Sequence, residues 1–328
     1  MTKEAVVDIL QTGPGNSAQD AGRHGLRHLG IGSSGALDRR ALRFGNTLLG
    51  NDELAAAIEI ATPPLVCKVS TTVTALIAGD EVDACIITPE REPVPVRSGW
   101  AFQLNAGERL ELRGCINRGI AYLLFSGKLS STMFAGSASM HSQFQLDVGL
   151  DTQLHQGQQI KILGGDPIPP RDLPGLKLKP VDNNVRVVTF PEHWQLTEES
   201  QQRFRGNNWR VSKSRSRMGV RLTASAPLDT TSTSAIKSRA TYPGMIQLPC
   251  DGQPIVLLAD AQTTGGYKVI GSVIAADLWK LIQHPVDETL RLCPVTSEQA
   301  LEADNILDNQ IKQLATALHQ RQNSDQQR

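Results

Sequence analysis

The 328-residue sequence is poor in aromatics: seven Phe, four Trp and three Tyr make up 4% of it. It also has only five cysteines, no surplus of charge of either sign and no long apolar run. Each shortage excludes something. Lys and Arg number 33 and Asp and Glu also 33, so there is no basic excess to meet a phosphate backbone, and no nucleic-acid partner is expected. Apolar runs such as 120–125 and 255–259 fall far below the ~20 residues needed to cross a bilayer, so no membrane span is expected. The opening residues Met1 to Asp8 carry early acidic side chains and no apolar core, unlike a secretory signal. Cys67, Cys85, Cys115, Cys250 and Cys293 are odd in number, scattered and never in a C-x-x-C arrangement. That pattern reads as reduced thiols lodged in strands of a cytoplasmic protein, with no metal site.

What the sequence does have is punctuation. Its 28 glycines and 18 prolines separate short apolar alternations at 66–77, 84–88, 109–113, 120–125, 159–163, 185–190, 255–259 and 290–295, all of which read as strands. Many short strands joined by turn residues predict a mainly β protein of sandwiches or small closed barrels. Helices are few. Leu37, Ala41, Phe44 and Leu48 fall at helical spacing before Gly50-Asn51, and a second helix is predicted over 297–318 with a Gln-rich tail. The length suggests about two domains. The Pro- and Gly-dense stretch 164–175 marks the boundary, giving a first β domain at 1–168, a second at 182–296 and a C-terminal helix and tail at 297–328. The Ser- and Thr-rich stretch 222–238 reads as a mobile surface loop.

Several segments carry chemistry. Gly30-Ile-Gly-Ser-Ser-Gly35 fits the dinucleotide-binding spacing, but the glycine-broken, basic residues before it are not the strand that fingerprint needs. An anion held at the following helix N-terminus remains an alternative. No P-loop and no nucleophile elbow occurs. His24 and His28 stand four apart, yet the glycines between and around them argue against a helical metal pair. Gln19, Asp20, Arg23 and His24 instead crowd mixed polar chemistry into a turn-rich loop, which reads either as a ligand-facing loop or as a loop fixed by an Asp20–Arg23 pair. Arg215, Arg217 and Arg221 cluster among hydroxyls, as suits bidentate capture of a carboxylate or phosphate, or form a solvated basic face. Downstream, Gln247, Gln253 and Gln262 supply amides near Thr264-Gly-Gly-Tyr267, the most site-like stretch of the chain.

Taken together, these segments resemble a known family. Gln19-Asp-x-Gly-Arg-x-Gly25, Gly32-x-x-Gly-Ala-Leu-Asp38, Asn46-x-Leu-Leu-Gly-Asn51 and Glu59 carry the first half of the likeness. Ser216-Arg-Met-Gly-x-Arg-Leu222, the run from Asp251 to Asp260, and Thr264-Gly-Gly-Tyr267 carry the second. They are similar to the family of C-type 5-oxoprolinase subunits, which overlaps with allophanate hydrolase subunit 2, the biotin-dependent carboxyltransferase half of urea amidolyase and the antagonist of a sporulation-kinase inhibitor. The resemblance implies two cyclophilin-like β-barrel domains with a few short helices. It further implies two partners in 5-oxoprolinase: the B-type subunit, bound directly, and the A-type subunit, linked through function. The activity implied is the ATP-dependent opening of 5-oxo-L-proline, a small cyclic amide, to L-glutamate. ATP with Mg would be shared with the directly bound partner; biotin enters only under the carboxyltransferase alternative, and a partner-binding regulator is the non-enzymatic one. Under the resemblance, Asp20 and His24 are the expected proton-transfer groups. Gln19, Arg23, Arg217, Arg221, Gln247, Gln253, Thr264 and Tyr267 are the expected substrate- and anion-binding residues, lining one cleft with them. The sequence departs from the family where Ala138 and Thr152 stand in place of arginines.

Overall fold

The computed structural model describes residues 4–141, 153–165, 167–178, 180–231 and 237–325. The chain divides into two compact units: Met1–Gly22, Ser34–Lys179 and Asp308–Arg328 form one, and Arg23–Ser33 with Pro180–Leu307 form the other. The second unit therefore contains the short segment 23–33, which sequence proximity alone would keep with the first half.

The described strands of the first unit are β1 (Glu4–Thr12), β2 (Ser17–Gln19), β3 (Ala57–Ile60), β4 (Leu65–Val69), β5 (Val73–Gly79), β6 (Val82–Thr88), β7 (Arg91–Val96), β8 (Ala101–Leu104), β9 (Arg109–Cys115), β10 (Ala121–Phe125), β11 (Lys128–Ser130) and β12 (Gln159–Leu163). They form a seven-stranded sheet, β11-β12-β1-β4-β9-β6-β7, and a five-stranded one, β2-β3-β10-β5-β8. Alternation places Ala5, Val7 and Ile9 of β1, Leu110 and Leu112 of β9, and Ile160 and Ile162 of β12 in one core with Ile58, Ile77 and Leu123 of the smaller sheet. Every residue of β10 is buried, because helix α1 (Arg39–Leu48) covers the other face of that sheet. Gly45 permits this approach: a Cβ there would sit 3.0 Å from both Leu124 methyls. Burial of Leu42 and Leu48 beneath the helix contributes roughly 2 kcal/mol each.

One expectation fails instructively. The apolar run 66–77 reads as a single strand, but residues 70–72 turn the chain, so β4 lies in the larger sheet and β5 in the smaller. The Pro- and Gly-rich stretch after β12 is also no slack tether. Leu173 is buried, Thr74 donates to the Ile168 carbonyl at 2.7 Å, and Leu176 N donates to Gly99 O at 2.6 Å. Gly175 lies against the Trp100 ring, where a Cβ would come within 2.7 Å.

The second unit is built on β13 (Asn184–Thr189), β14 (Trp209–Ser216), β15 (Gly219–Thr223), β16 (Arg239–Ala240), β17 (Met245–Leu248), β18 (Ile255–Leu257), β19 (Thr264–Gly265), β20 (Lys268–Val273) and β21 (Thr289–Pro294). Seven of these close a barrel in the order β13-β20-β17-β18-β15-β14-β21, and β16 pairs with β19 as a separate ribbon. Val185, Val187, Val211, Val220, Leu222, Ile246, Val256, Val269, Leu290 and Leu292 are buried along the barrel strands. Helices α2 (Glu198–Gly206) and α3 (Leu278–Gln283) belong to this unit, and α4 (Ser297–Asp325) starts in it and continues, from Asp308, as part of the first. The stretch 222–238, expected to be a mobile loop, is anchored through residue 231: Leu222 lies in β15, Leu228 is buried, and Asp229 N donates to Ser200 Oγ at 2.8 Å. Residues 232–236 of that stretch lie outside the described residues.

Candidate functional site

In the first unit, Gln19 ends β2 and is fully buried; its amide donates to Ser17 Oγ at 3.0 Å and to the Met140 carbonyl at 3.2 Å. Asp20, next in the chain, is a hub. Its carboxylate accepts from Gly22 N at 2.8 Å, Ser137 Oγ at 2.6 Å, Ala138 N at 2.6 Å and Ser139 Oγ at 2.5 Å. Three of these donors meet Oδ1 and one meets Oδ2, so most of the carboxylate's accepting capacity is used within the chain. Asp20 thereby fastens the 137–139 loop to the end of β2, and Ala138 contributes its backbone N–H to that fastening. Thr152 lies outside the described residues.

The segment 30–35 does not present a helix N-terminus to an anion. Helix α1 starts later and is capped by Asp38, whose Oδ1 accepts from Ala41 N at 2.9 Å, so a carboxylate of the chain itself occupies that end. Beneath the cap, Tyr122 donates to Glu59 Oε2 at 2.7 Å and accepts from Asp38 N at 2.8 Å, while Leu37 N donates to Glu59 at 3.0 Å. Burial, followed by the charges of Glu59 and Asp38, holds the Tyr122 phenol well above its ordinary pKa. Glu59 and Asp38 belong to the family-like motifs, and their work here is to fix the 34–38 turn.

In the second unit the three clustered arginines diverge. Arg215 donates to the carbonyls of Ile282 at 3.1 Å and His284 at 2.8 Å. Arg217, in the turn between β14 and β15, forms a buried bidentate pair with Asp260, Nε to Oδ2 at 2.9 Å and Nη2 to Oδ1 at 3.0 Å. Arg221 bonds to Asp251 on the surface, and that bond holds the Asp251 carboxyl below its usual range. Gln253 likewise has a partner within the chain. Its amide accepts from Ala224 N at 2.9 Å and donates to Ala224 O at 3.1 Å, reading a backbone edge as it would read a ligand amide.

The remaining expected residues differ. His24 is exposed between Gly22 and Gly25, both at positive φ; Arg23, beside it, is buried. Thr264 and Tyr267 are exposed at the β19 turn. Gln247, on β17, is 1% exposed and accepts from Gln262 at 3.4 Å, but its own Nε2 has no hydrogen-bond partner among the described residues. Arg27 docks the 23–33 segment here, donating to Thr241 O at 3.0 Å and Gln262 O at 2.8 Å. Burial lowers the Arg27 pKa. The sequence reading missed Arg27 and Arg239. Neither lies in a patterned motif, and only the pairing of β16 with β19 brings Arg239 opposite Gly265.

Among the described residues no group of three or more His, Cys, Asp or Glu gathers that could hold a metal. Of the cysteines, Cys67 and Cys85 are buried and Cys115 and Cys293 partly so, with burial pushing Cys67 up to about 12; Cys250 departs from the expectation and is exposed. No helix in the described residues is long and apolar enough to cross a membrane.

A closed β-barrel and a two-sheet β unit in one chain, with paired arginines and a Gly-Gly-Tyr turn, define a class that comparison with known proteins identifies. The family model described as "Carboxyltransferase domain, subdomain A and B" matches residues 29–294. Chain-long relatives narrow this: the C-type 5-oxoprolinase subunit of Escherichia coli is 32% identical over 96% of this chain and 99% of its own length. That of Haemophilus influenzae is 30% identical over 90% and 93%. The chain therefore belongs to the carboxyltransferase-domain family that includes the C-type 5-oxoprolinase subunits. The crystal structure of the Kluyveromyces lactis urea amidolyase superposes with a TM-score of 0.82 at 21% identity, covering 94% of this chain but only 20% of that one, a likeness of fold.

Proposed function

We propose that this chain is the C-type subunit of an ATP-dependent 5-oxoprolinase, cleaving 5-oxo-L-proline to L-glutamate together with the B-type and A-type subunits in the cytoplasm. The observation that supports this reading is the 32% identity running over 99% of the length of a relative that carries the C-type 5-oxoprolinase name. Amide resonance makes a lactam carbonyl a poor electrophile, so ring opening at neutral pH needs the oxygen activated and the leaving nitrogen protonated. The chain's own residues fit binding and proton transfer better than nucleotide handling. Its clustered arginines are tied to Asp260, Asp251 and backbone carbonyls, and its first helix is capped by Asp38, which supports a nucleotide site shared with a partner subunit. ATP with Mg is accordingly assigned to the complex with the B-type subunit.

Within the expected set, Asp20, Arg217 and Gln253 act as positioning residues, because their polar atoms are spent inside the chain. Gln247, Thr264 and Tyr267 are the ligand-contact residues, and His24, exposed on a glycine-flanked loop, is the proton carrier. The test is ATP hydrolysis by the chain mixed with its B-type and A-type partners, with and without 5-oxo-L-proline. Substrate-stimulated phosphate release that falls at least tenfold in His24→Ala supports the reading. A stable complex without stimulated release, or copurification with a biotinylated carrier, contradicts it.

A further inference from the structure

The two-residue ribbon of β16 and β19 has distinct faces. Arg239 pairs with Gly265 and Ala240 with Thr264, so side chains at the first pair point one way and those at the second the other. Ala240 and Thr264 are exposed. The face carrying Arg239 and Gly265 turns inward: a Cβ built on Gly265 would lie 2.4 Å from Gln247 Nε2 and 3.1 Å from Thr241 Cγ2. Because directly paired residues have Cβ positions about 5 Å apart on the same face, the Arg239 side chain leaves the ribbon beside the Gln247 amide.

Arg239 is only partly used. Its Nη1 donates to Glu192 Oε1 at 2.5 Å, while Nε and Nη2 are buried and have no hydrogen-bond partner among the described residues. Nε and Nη2 together make the side-on fork of a guanidinium. In this same unit Arg217 offers that fork to Asp260, and Arg186 offers it to Asp277 at 2.9 and 2.7 Å. Arg239 thus leaves unpaired the edge that its two counterparts give to carboxylates. Gln247 Nε2, in a side chain 99% removed from solvent (1% exposed), is equally unpartnered. Buried donors without a partner in the chain carry a desolvation cost that an entering anion relieves. Gly265, having no side chain, lets the Gln247 amide lie against the ribbon opposite Arg239.

We propose that Arg239 and Gln247 form a carboxylate subsite under the β16–β19 ribbon, the Arg239 fork taking both oxygens of a small planar acid and the Gln247 amide donating a third hydrogen bond. The subsite is independent of the catalytic reading; only the identity of its ligand, the carboxylate of 5-oxo-L-proline, rests on that reading.

The experiment is calorimetric titration of the full chain with three probes: 5-oxo-L-proline, 2-pyrrolidinone (the lactam without the carboxylate) and cyclopentanecarboxylate (the carboxylate without the lactam). Both acids are expected to bind, and Arg239→Gln to weaken both on the order of 100-fold without changing any affinity for 2-pyrrolidinone. Gly265→Ala, which pushes the Gln247 amide aside while leaving Arg239 in place, is expected to weaken both acids as well. An unchanged thermal midpoint in each variant separates lost binding from lost fold. Binding of cyclopentanecarboxylate alone, still dependent on Arg239, upholds the subsite and overturns its assignment to 5-oxo-L-proline. If neither acid binds, or the variants bind as the natural chain does, the subsite is refuted.

Discussion

Asp20 orders a stretch of chain by accepting from several donors, Asp260 takes the fork of Arg217, and both carboxylates are buried. Replacing Asp20 with Ala strands the donors of Ser137, Ala138 and Ser139 beneath the surface, and we expect a loss of about 3 kcal/mol, from the cost of buried unpaired donors. Asp260→Asn leaves the Arg217 guanidinium without its counter-charge and should cost about 3–5 kcal/mol. Urea unfolding of both variants checks this; losses under 1 kcal/mol would mean that these carboxylates are not the struts described. The same residues mark the limit of what the sequence conveys. Arg217 and Gln253 have the right chemistry for a ligand, and both motifs are legible. That Asp260, 43 residues on, and the Ala224 backbone take up that chemistry depends on barrel pairing, which no local pattern encodes.

At the level of elements, alternation and punctuation carried nine of the 21 described strands. The run 159–163 is β12 itself, and 109–113 and 120–125 fall on β9 and β10 to within two residues. Where the signal failed there is a physical reason. Helix α2 has Phe204 as its one apolar side chain, so no helical stripe shows; its signal is the cap, Thr197 Oγ1 accepting from Ser200 N. Just before α2, the 3-10 turn Pro191–Gln195 buries His193 edge-on against Phe204 with their ring centroids 5.0 Å apart, and neither ring nitrogen has a partner among the described residues. Burial lowers the pKa of His193, with Arg205 adding to the effect, and burial likewise lowers that of His284. An imidazole whose folded pKa is lowered is protonated first in the unfolded chain, so stability is full above the unfolded value of about 6.5 and declines as pH falls through it. The urea midpoint should therefore drop between pH 7.5 and pH 5, and the drop should be smaller in His193→Phe. An equal drop in that variant would remove His193 as a source of the acid sensitivity.

On the scale of the whole molecule, the mainly β class was readable from composition and turn residues, and family membership from ordered motifs such as Gln19-Asp-x-Gly-Arg and Thr264-Gly-Gly-Tyr267. The assignment of 23–33 to the second unit was not readable. It depends on Arg27 reaching the carbonyls of Thr241 and Gln262, more than 200 residues away in sequence (separations of 214 and 235). The central claim is that this chain is needed for lactam ring opening. The most direct measurement is the formation of L-glutamate from 5-oxo-L-proline by the A-type and B-type partners with ATP and Mg, in the presence and absence of this chain. The account predicts glutamate only when the chain is present. Equal glutamate without it, or none with all three components together, would contradict the account.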